Sequence, residues 1–150
     1  MAISSPRSTV RLNNGVRMPM FGLGCTQPDE GDDTERAVLA ALEAGYRLID
    51  TASVYENEAD VGRALRGASI PRDDVFLATK VWNSDLGYER TLAAFERSLE
   101  LLQVEYIDLY MIHFPLIRLR RESWRALESL LATGRCRAIG VSNFAIKHIE

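Results

Sequence analysis

The sequence predicts an α/β protein in which strand–helix units repeat around a parallel sheet. Short apolar strands end at Gly24, Asp50, Lys80, His113 and Ser142, which lie 26, 30, 33 and 29 residues apart by subtraction, and a helical pattern follows most of them. Strands that alternate with helices form right-handed parallel crossovers. Because the strands are continuously apolar, the sheet is expected to be covered on both faces or curled into a barrel.

A β-hairpin is predicted before the first of these units. Residues 9–12 and 16–18 are short β-prone runs, and Asn14 and Gly15 between them supply the positive φ angles of a tight turn. Pro19 restricts the second run to a sheet edge, because proline has no backbone N–H. The apolar run 20–24 then forms the first strand of the parallel sheet.

The first two helices are predicted from their caps and apolar faces. One begins at Asp32 or Asp33 and ends before Gly45, a residue typical of helix C-termini. A short strand, 48–50, follows it, and Asn57 is predicted to cap the second helix, whose first turn is acidic. The apolar face of the first helix is predicted to contain Ala37, Val38, Ala41 and Leu42.

The remaining units show the same alternation. Residues 75–79, 106–112 and 138–141 are predicted strands, and residues 124–133 form a helix that ends at glycine. The clearest helix covers 88–102, where apolar side chains recur four, three, four and three residues apart at Tyr88, Leu92, Phe95, Leu99 and Leu102.

Composition sets limits on the function. The chain has 150 residues, 47% of them hydrophobic, and a net charge of −3, which fits one globular domain over 1–150 and gives no basic surface for nucleic acid. We find no signal peptide and no run long enough to span a membrane. Cys25 and Cys136 form neither a disulfide framework nor a zinc-ligand spacing. We therefore expect a cytoplasmic protein without a metal.

Four polar side chains are predicted to meet at one rim of the sheet. Parallel strands present their C-terminal ends on the same side, so Asp50, Tyr55, Lys80 and His113 gather where the active sites of barrels lie. Each has an ordinary structural explanation by itself: a turn cap, a core aromatic, a solvated lysine and a structural histidine. Their coincidence at successive strand ends indicates an active site.

Several motifs resemble those of the aldo-keto reductases. They are GYRLIDTASVYENEADVGRAL at 45–65, TKVWN at 79–83, YIDLYMIHFP at 106–115 and AIGVSNF at 138–144. The resemblance implies a (β/α)8 TIM barrel with an N-terminal hairpin at its bottom. It also implies NADPH-dependent reduction of aldehydes and ketones to alcohols, with NADH as a less common donor.

The resemblance also assigns roles to individual residues. It makes Asp50, Tyr55, Lys80 and His113 a catalytic tetrad. It makes Ser142 and Asn143 contacts to the nicotinamide carboxamide, and Gly24 and Asp50 complete the predicted cofactor-binding set.

The chemistry of this tetrad is coherent by itself. Carbonyl reduction needs a hydride at carbon and a proton at oxygen, and the Tyr55 hydroxyl can donate the proton. Because the ordinary pKa of tyrosine is about 10, we expect Lys80 to lower the pKa of Tyr55. Asp50 is expected to hold Lys80, and His113 to orient the substrate oxygen through a hydrogen bond.

Two departures from the family pattern affect the predicted substrate pocket. Cys25, Thr26 and Gln27 stand where many members have an aromatic residue soon after the glycines of the first strand, and Phe114 replaces tryptophan after His113. Trp82 remains as an aromatic wall. We expect a pocket that is wider and more polar than usual, although Cys25 and Phe114 also fit a packing role.

Length is the largest departure, because a full barrel needs about 250 residues. The sequence holds about the first five strand–helix units, so the domain is predicted to be incomplete at its C-terminus. Self-association through the exposed sheet edge, a truncated gene product and a part of a longer enzyme all fit this length. Two alternatives stay open: a non-catalytic binding or scaffold module, and an enzyme that uses Lys80 as a Schiff-base nucleophile. The carboxylate of Asp50 argues against the second, and a metal site at Cys25, Asp50 and His113 lacks motif spacing.

Overall fold

Two sheets form the framework of the molecule. The structure is a computed structural model that describes residues 7–26 and 34–149. An antiparallel hairpin pairs β1 (Thr9–Arg11) with β2 (Arg17–Pro19). The second sheet is parallel, and its strands follow chain order: β3 (Leu23–Gly24), β4 (Leu48–Asp50), β5 (Phe76–Val81), β6 (Ile107–Ile112) and β7 (Cys136–Val141). The predicted α/β class is confirmed.

In the described ranges, four α-helices connect the parallel strands, and neighbouring helices pack against each other. Each presents an apolar stripe to the sheet, as the 3.6-residue period requires. The helices are α1 (Thr34–Glu43), α2 (Glu58–Gly67), α3 (Tyr88–Leu102) and α4 (Arg120–Ala132).

The core lies between the sheet and these helices. Leu77 of β5 and Tyr110 of β6 are fully buried, and the ring of Phe95 on α3 meets that of Tyr110 edge-on, with centroids 5.0 Å apart. On the opposite face of the sheet, Leu109 and Met111 are only partly buried and line a cavity of about 300 Å³. This second face is less completely covered than the helix-covered face.

Some predicted details of the first units are wrong. Only Gly15 of the hairpin loop has a positive φ, +91°, because residues 13–15 form a three-residue loop closed by a hydrogen bond from Leu12 N to Val16 O. Ala37 is exposed, and Thr34 is buried in the α1 face instead. The predicted cap at Asp32 or Asp33 lies outside the described residues.

Strand and helix ends also differ from the prediction. β5 continues through Lys80 to Val81, because its register with β6 extends to Ile112. Two elements begin earlier than predicted: β7 at Cys136 and α4 at Arg120. Each alternation of strand and helix nevertheless brings the strand ends to one side of the sheet.

Candidate active site

The rim at the C-terminal ends of the strands contains a partly buried ion pair. The Nζ atom of Lys80 donates to Oδ1 and Oδ2 of Asp50, at 2.8 and 2.7 Å, and to the carbonyl oxygen of Thr51, at 2.8 Å. Adjacent strands β4 and β5 supply the two charged side chains. All three donors of the ammonium group are used, which compensates for the burial of Lys80.

Tyr55 lies close to both this ion pair and His113. It ends a single 3₁₀ turn, Ser53–Tyr55, which follows β4 after two residues. The Nζ atom of Lys80 is 5.6 Å from the centroid of the Tyr55 ring, and the His113 ring meets the same ring edge-on at 5.6 Å. The structure therefore brings together the four side chains that the sequence predicted to meet.

Burial changes the acid–base properties of two of these groups. The pKa of Tyr55 is raised by burial and by the negative charge of Asp50. The pKa of His113 is lowered by burial and by the positive charge of Lys80, while Asp50 opposes the change. Both shifts favour the neutral form of the side chain.

The expected lowering of the pKa of Tyr55 by Lys80 is therefore wrong for this structure. The ammonium group of Lys80 is bound by both oxygens of Asp50. The carboxylate offsets the field of the lysine at Tyr55, so burial and the charge of Asp50 determine the direction.

An aromatic wall lies beside His113. The Trp82 ring meets the rings of His113 and Phe114 edge-on, with centroids 5.0 and 5.8 Å apart, and His113 stacks on Phe114 at 5.4 Å. Phe114 is 40% exposed, so its ring is available to a ligand. These three members of the predicted substrate pocket come together.

The other two predicted pocket residues follow β3. The backbone N–H of Cys25 donates to the carbonyl of Asp50 at 2.7 Å, and its thiol is buried, which raises its pKa to about 11. Thr26 is exposed. In the sheet order, one strand separates these residues from Trp82, which follows β5, and two strands separate them from His113 and Phe114, which follow β6.

Three of the predicted cofactor contacts lie at the two edges of the described parallel sheet, and the fourth, Asp50, lies on the interior strand β4. Asn143 follows β7 in the left-handed region, with a φ of +61°, and its Nδ2 donates to the carbonyl of His113 at 2.9 Å and to Oγ of Ser142 at 3.1 Å. Gly24 ends β3 opposite Asp50, and a Cβ atom built on it meets no atom within 4 Å. Space is therefore open beside Gly24.

Two buried side chains next to Tyr55 were not predicted as part of the site. Asn57 occupies the N-cap position of α2, but its side chain does not cap the helix: Oδ1 accepts from the Thr51 hydroxyl at 2.6 Å, and Nδ2 donates to the Cys25 carbonyl at 3.1 Å. Glu58 accepts hydrogen bonds from Thr79 and Ser98, at 2.7 and 3.2 Å. Burial raises the pKa of the Glu58 carboxyl.

Within residues 7–26 and 34–149, no three His, Cys, Asp or Glu residues are placed to hold a metal ion. None of the helices described there has the length and apolar character needed to cross a bilayer.

The fold and the rim define the class of α/β proteins whose parallel strands carry a polar site at their C-terminal ends. The sequence model of the aldo/keto reductase family matches residues 20–150. The chain therefore belongs to the aldo/keto reductase family, as its motifs predicted.

Individual relatives agree with this assignment. The chain is 50% identical over 147 residues to glyoxal reductase of Bacillus subtilis (strain 168), a match that covers 98% of this chain and 53% of the relative. It is 55% identical over 140 residues to 9,11-endoperoxide prostaglandin H2 reductase of Trypanosoma cruzi (strain CL Brener), covering 93% of this chain and 50% of the relative.

A solved structure shows the same fold. The aldo-keto reductase of Bombyx mori in complex with NADP superposes with a TM-score of 0.89 at 34% identity, over 97% of this chain and 53% of the other. The chain thus spans about half the length of the relatives it matches. The parallel sheet and its helices form a partial (β/α)8 TIM-type barrel, as predicted.

Proposed function

We propose that this chain carries the proton-transfer site of an NADPH-dependent reductase that converts aldehydes and ketones to alcohols, with NADH as the alternative donor. One observation carries the proposal: the ring of Tyr55 lies 5.6 Å from the ammonium of the Lys80–Asp50 ion pair and 5.6 Å from the imidazole of His113. A proton donor, a cation and a hydrogen-bond donor are thereby grouped where a carbonyl oxygen can approach them.

Each of the four residues has a defined role in this proposal. Tyr55 gives its hydroxyl proton to the carbonyl oxygen as that oxygen gains negative charge. Its raised pKa keeps the hydroxyl protonated at neutral pH. Lys80, held by both oxygens of Asp50, binds the carbonyl of Thr51 and so fixes the segment that leads into the Tyr55 turn.

His113 acts as a neutral hydrogen-bond donor. Its lowered pKa means that the imidazole is uncharged at pH 7, so it can orient the carbonyl oxygen without transferring a proton to it. The rings of Trp82 and Phe114 hold the His113 ring in position, and the side chain of Asn143 donates a hydrogen bond to the backbone carbonyl of His113.

The residues at the two sheet edges fit a nicotinamide cofactor, which supplies the hydride when it is bound. Both hydrogen bonds of the Asn143 side chain are donated by its Nδ2, so its Oδ1 has no partner among the described residues. Oγ of Ser142 accepts one of these bonds, and its own proton has no acceptor among the same residues. An acceptor and a donor side by side complement a carboxamide. Gly24 leaves room for close approach, and the NADP complex of the Bombyx mori relative supports NADPH as the donor.

We further propose that Trp82, His113 and Phe114 form one wall of the substrate pocket and that Cys25 and Thr26 line its more polar side. One relative is named a glyoxal reductase and another a prostaglandin H2 endoperoxide reductase. The first name supports a carbonyl substrate for this chain, because glyoxal is a dialdehyde, whereas an endoperoxide is reduced at its O–O bond.

The decisive experiment measures NADPH oxidation by the purified chain with a reactive aromatic aldehyde. Tyr55→Phe removes only the hydroxyl, and we expect turnover to fall by at least about 100-fold. Tyr88→Phe is the matched control, because the Tyr88 hydroxyl binds Ser129 on the helix layer. Equal turnover of Tyr55→Phe and the parent would reject the mechanism. Absence of turnover in the parent would favour the non-catalytic binding or scaffold module.

We also propose that residues 1–150 behave as a single domain that self-associates. Among the described strands, β7 pairs only with β6, and Ile146 and Ile149, which follow β7, are 75% and 71% exposed. Light scattering after size exclusion should show dimers or larger species. A compact monomer would contradict the proposal.

A further inference from the structure

The turn that carries Tyr55 is tied to β5 by side chains on both sides of the tyrosine. Before it, the hydroxyl of Ser53 donates to the carbonyl of Lys80 at 3.0 Å and accepts from the backbone N–H of Trp82 at 3.2 Å. After it, the carboxylate of Glu58 accepts from the hydroxyl of Thr79 at 2.7 Å. All of these contacts fall within four consecutive residues of β5 and its end.

Ser53 acts at the point where backbone pairing between β4 and β5 stops. The last backbone hydrogen bond there runs from Thr51 N to Ala78 O, at 2.9 Å. In a parallel ladder the next carbonyl on the same side is that of Lys80, two residues further on. The chain has by then turned into a 3₁₀ segment, and the Ser53 side chain supplies the hydrogen bonds that the backbone would otherwise make.

The turn itself has little to hold it. It contains two backbone hydrogen bonds, from Tyr55 N to Ala52 O at 3.0 Å and from Glu56 N to Ser53 O at 3.2 Å. Glu56 follows in the left-handed region, with a φ of +55°. Single 3₁₀ turns have weak hydrogen-bond geometry, and a left-handed residue other than glycine persists only where its surroundings hold it.

We propose that Ser53 is a positioning residue: the Ser53 hydroxyl holds the Tyr55 turn at a fixed distance from Lys80 and Trp82. Glu58 is a second anchor of the same turn. The effect of Ser53 on turnover rests on the proposed function of Tyr55. The effect of Ser53 on the position of Tyr55 does not depend on that function, so the two effects can be tested separately.

The structural effect is measured by carbon-13 NMR of the full chain labelled at its five tyrosines. The Tyr55 signal is assigned as the one lost in Tyr55→Phe. In Ser53→Ala we expect this signal to shift and broaden, and the apparent pKa of Tyr55 to move towards the ordinary value of 10, because the loosened ring becomes more hydrated. Ser53→Thr keeps the hydroxyl and should restore both properties.

A matched serine serves as the control. Ser84 is exposed and binds the neighbouring Asp85 carboxylate, so Ser84→Ala removes a comparable hydroxyl without touching the turn. It should leave the Tyr55 signal unchanged. If Ser53→Ala fails to fold, Thr79→Val removes the hydrogen bond to Glu58 while keeping the side-chain shape, and it should move the same signal.

Kinetics then separate positioning from general destabilisation. With NADPH and the aromatic aldehyde, Ser53→Ala should lower kcat about 10-fold while KM and NADPH affinity stay within about twofold, because proton transfer is sensitive to small displacements. An unchanged Tyr55 signal in Ser53→Ala, or in Thr79→Val where the serine variant does not fold, would overturn the inference. An inactive parent with a displaced signal would reject the proposed function but support the positioning role.

Discussion

The ammonium group of Lys80 is bound by both carboxylate oxygens of Asp50, and the two side chains differ in exposure. The Lys80 side chain is 7% exposed and that of Asp50 is 35% exposed, so the cation is the more deeply buried partner. Removing the carboxylate would leave a buried charge whose remaining partner is the Thr51 carbonyl. The ion pair is therefore a structural requirement as well as part of the candidate active site.

Asp50→Asn should destabilise the chain and reduce its turnover. We expect the free energy of unfolding to fall by about 2 kcal/mol, less than for a fully buried pair because Asp50 is partly exposed. Urea titration measures the change. Glu100→Gln, an exposed position on α3, is the charge-matched control and should stay within about 0.5 kcal/mol of the parent. Equal stability of Asp50→Asn and the parent would contradict this account.

His113 should make stability depend on pH on the acid side of neutrality. Its folded-state pKa is lowered from 6.5, so between that value and the lower folded pKa the unfolded chain binds a proton that the folded chain does not. Stability is therefore highest above pH 6.5 and falls as the pH drops through this window, by at most about 1.4 kcal/mol per pH unit for one group.

His113→Gln should remove this contribution to the pH dependence, as unfolding measured at several pH values between 5 and 7.5 can show. The chain has one other histidine, His148, whose ring accepts from the backbone N–H of Ala145. His148→Gln is therefore the matched control and should keep the steeper decline. If the free energy of unfolding fell equally with decreasing pH in the parent and in His113→Gln, His113 would not be the source of the pH dependence.

Asp108 should be essential for stability although it lies far from the rim. Its side chain is fully buried and accepts hydrogen bonds from Arg72, Arg137 and the backbone N–H of Leu77, at 2.7 to 3.0 Å. Asp108→Ala leaves these donors without their acceptor, so we expect a loss of about 3 kcal/mol in urea unfolding.

An exposed ion pair provides the comparison for Asp108. Glu96 binds Arg135 through both oxygens, at 2.6 and 2.7 Å, but both side chains are nearly half exposed. Glu96→Ala should cost less than about 1 kcal/mol. Similar losses for the Asp108 and Glu96 variants would show that burial does not determine the strength of these pairs.

The sequence predicted the rim residues because topology alone places them. Once Asp50, Lys80 and His113 stand at the ends of parallel strands, any βα repeat brings them to one side. The direction of the pKa shift of Tyr55 could not be predicted in this way. That direction depends on how completely Asp50 neutralises Lys80, and this is set by the distances between the two side chains, which a sequence does not give.

The anchors around Tyr55 were missed for a different reason. Asn57 and Glu58 match the pattern of an N-cap followed by an acidic first turn. In most helices, side chains in this pattern interact only with the N-terminus of their own helix. Here both side chains point into the protein and bind Thr51, Cys25, Thr79 and Ser98. A local pattern cannot show that a helix N-terminus is buried.

The close approach of α2 to α3 gives a final prediction. A Cβ atom at Gly62 would overlap the backbone carbonyl of Leu102, which cannot move aside as a flexible side chain could. Gly62→Ala should therefore destabilise the chain by about 2 kcal/mol in thermal or urea unfolding, even though alanine is the better helix former. Because α2 begins at Glu58, with only two residues between it and the Tyr55 turn, the displaced helix should also disturb that turn.

Gly67, at the end of the same helix, supplies the control. A Cβ atom there meets only the Leu39 side chain, at an ordinary contact distance of 3.8 Å. Gly67→Ala should be neutral or stabilise the chain by up to about 1 kcal/mol, because it gains helix propensity without a clash. Opposite signs for the two substitutions would show that backbone contact with α3, not propensity, requires glycine at position 62. If both substitutions stabilised the chain, α2 would have to lie further from α3 than the structure places it.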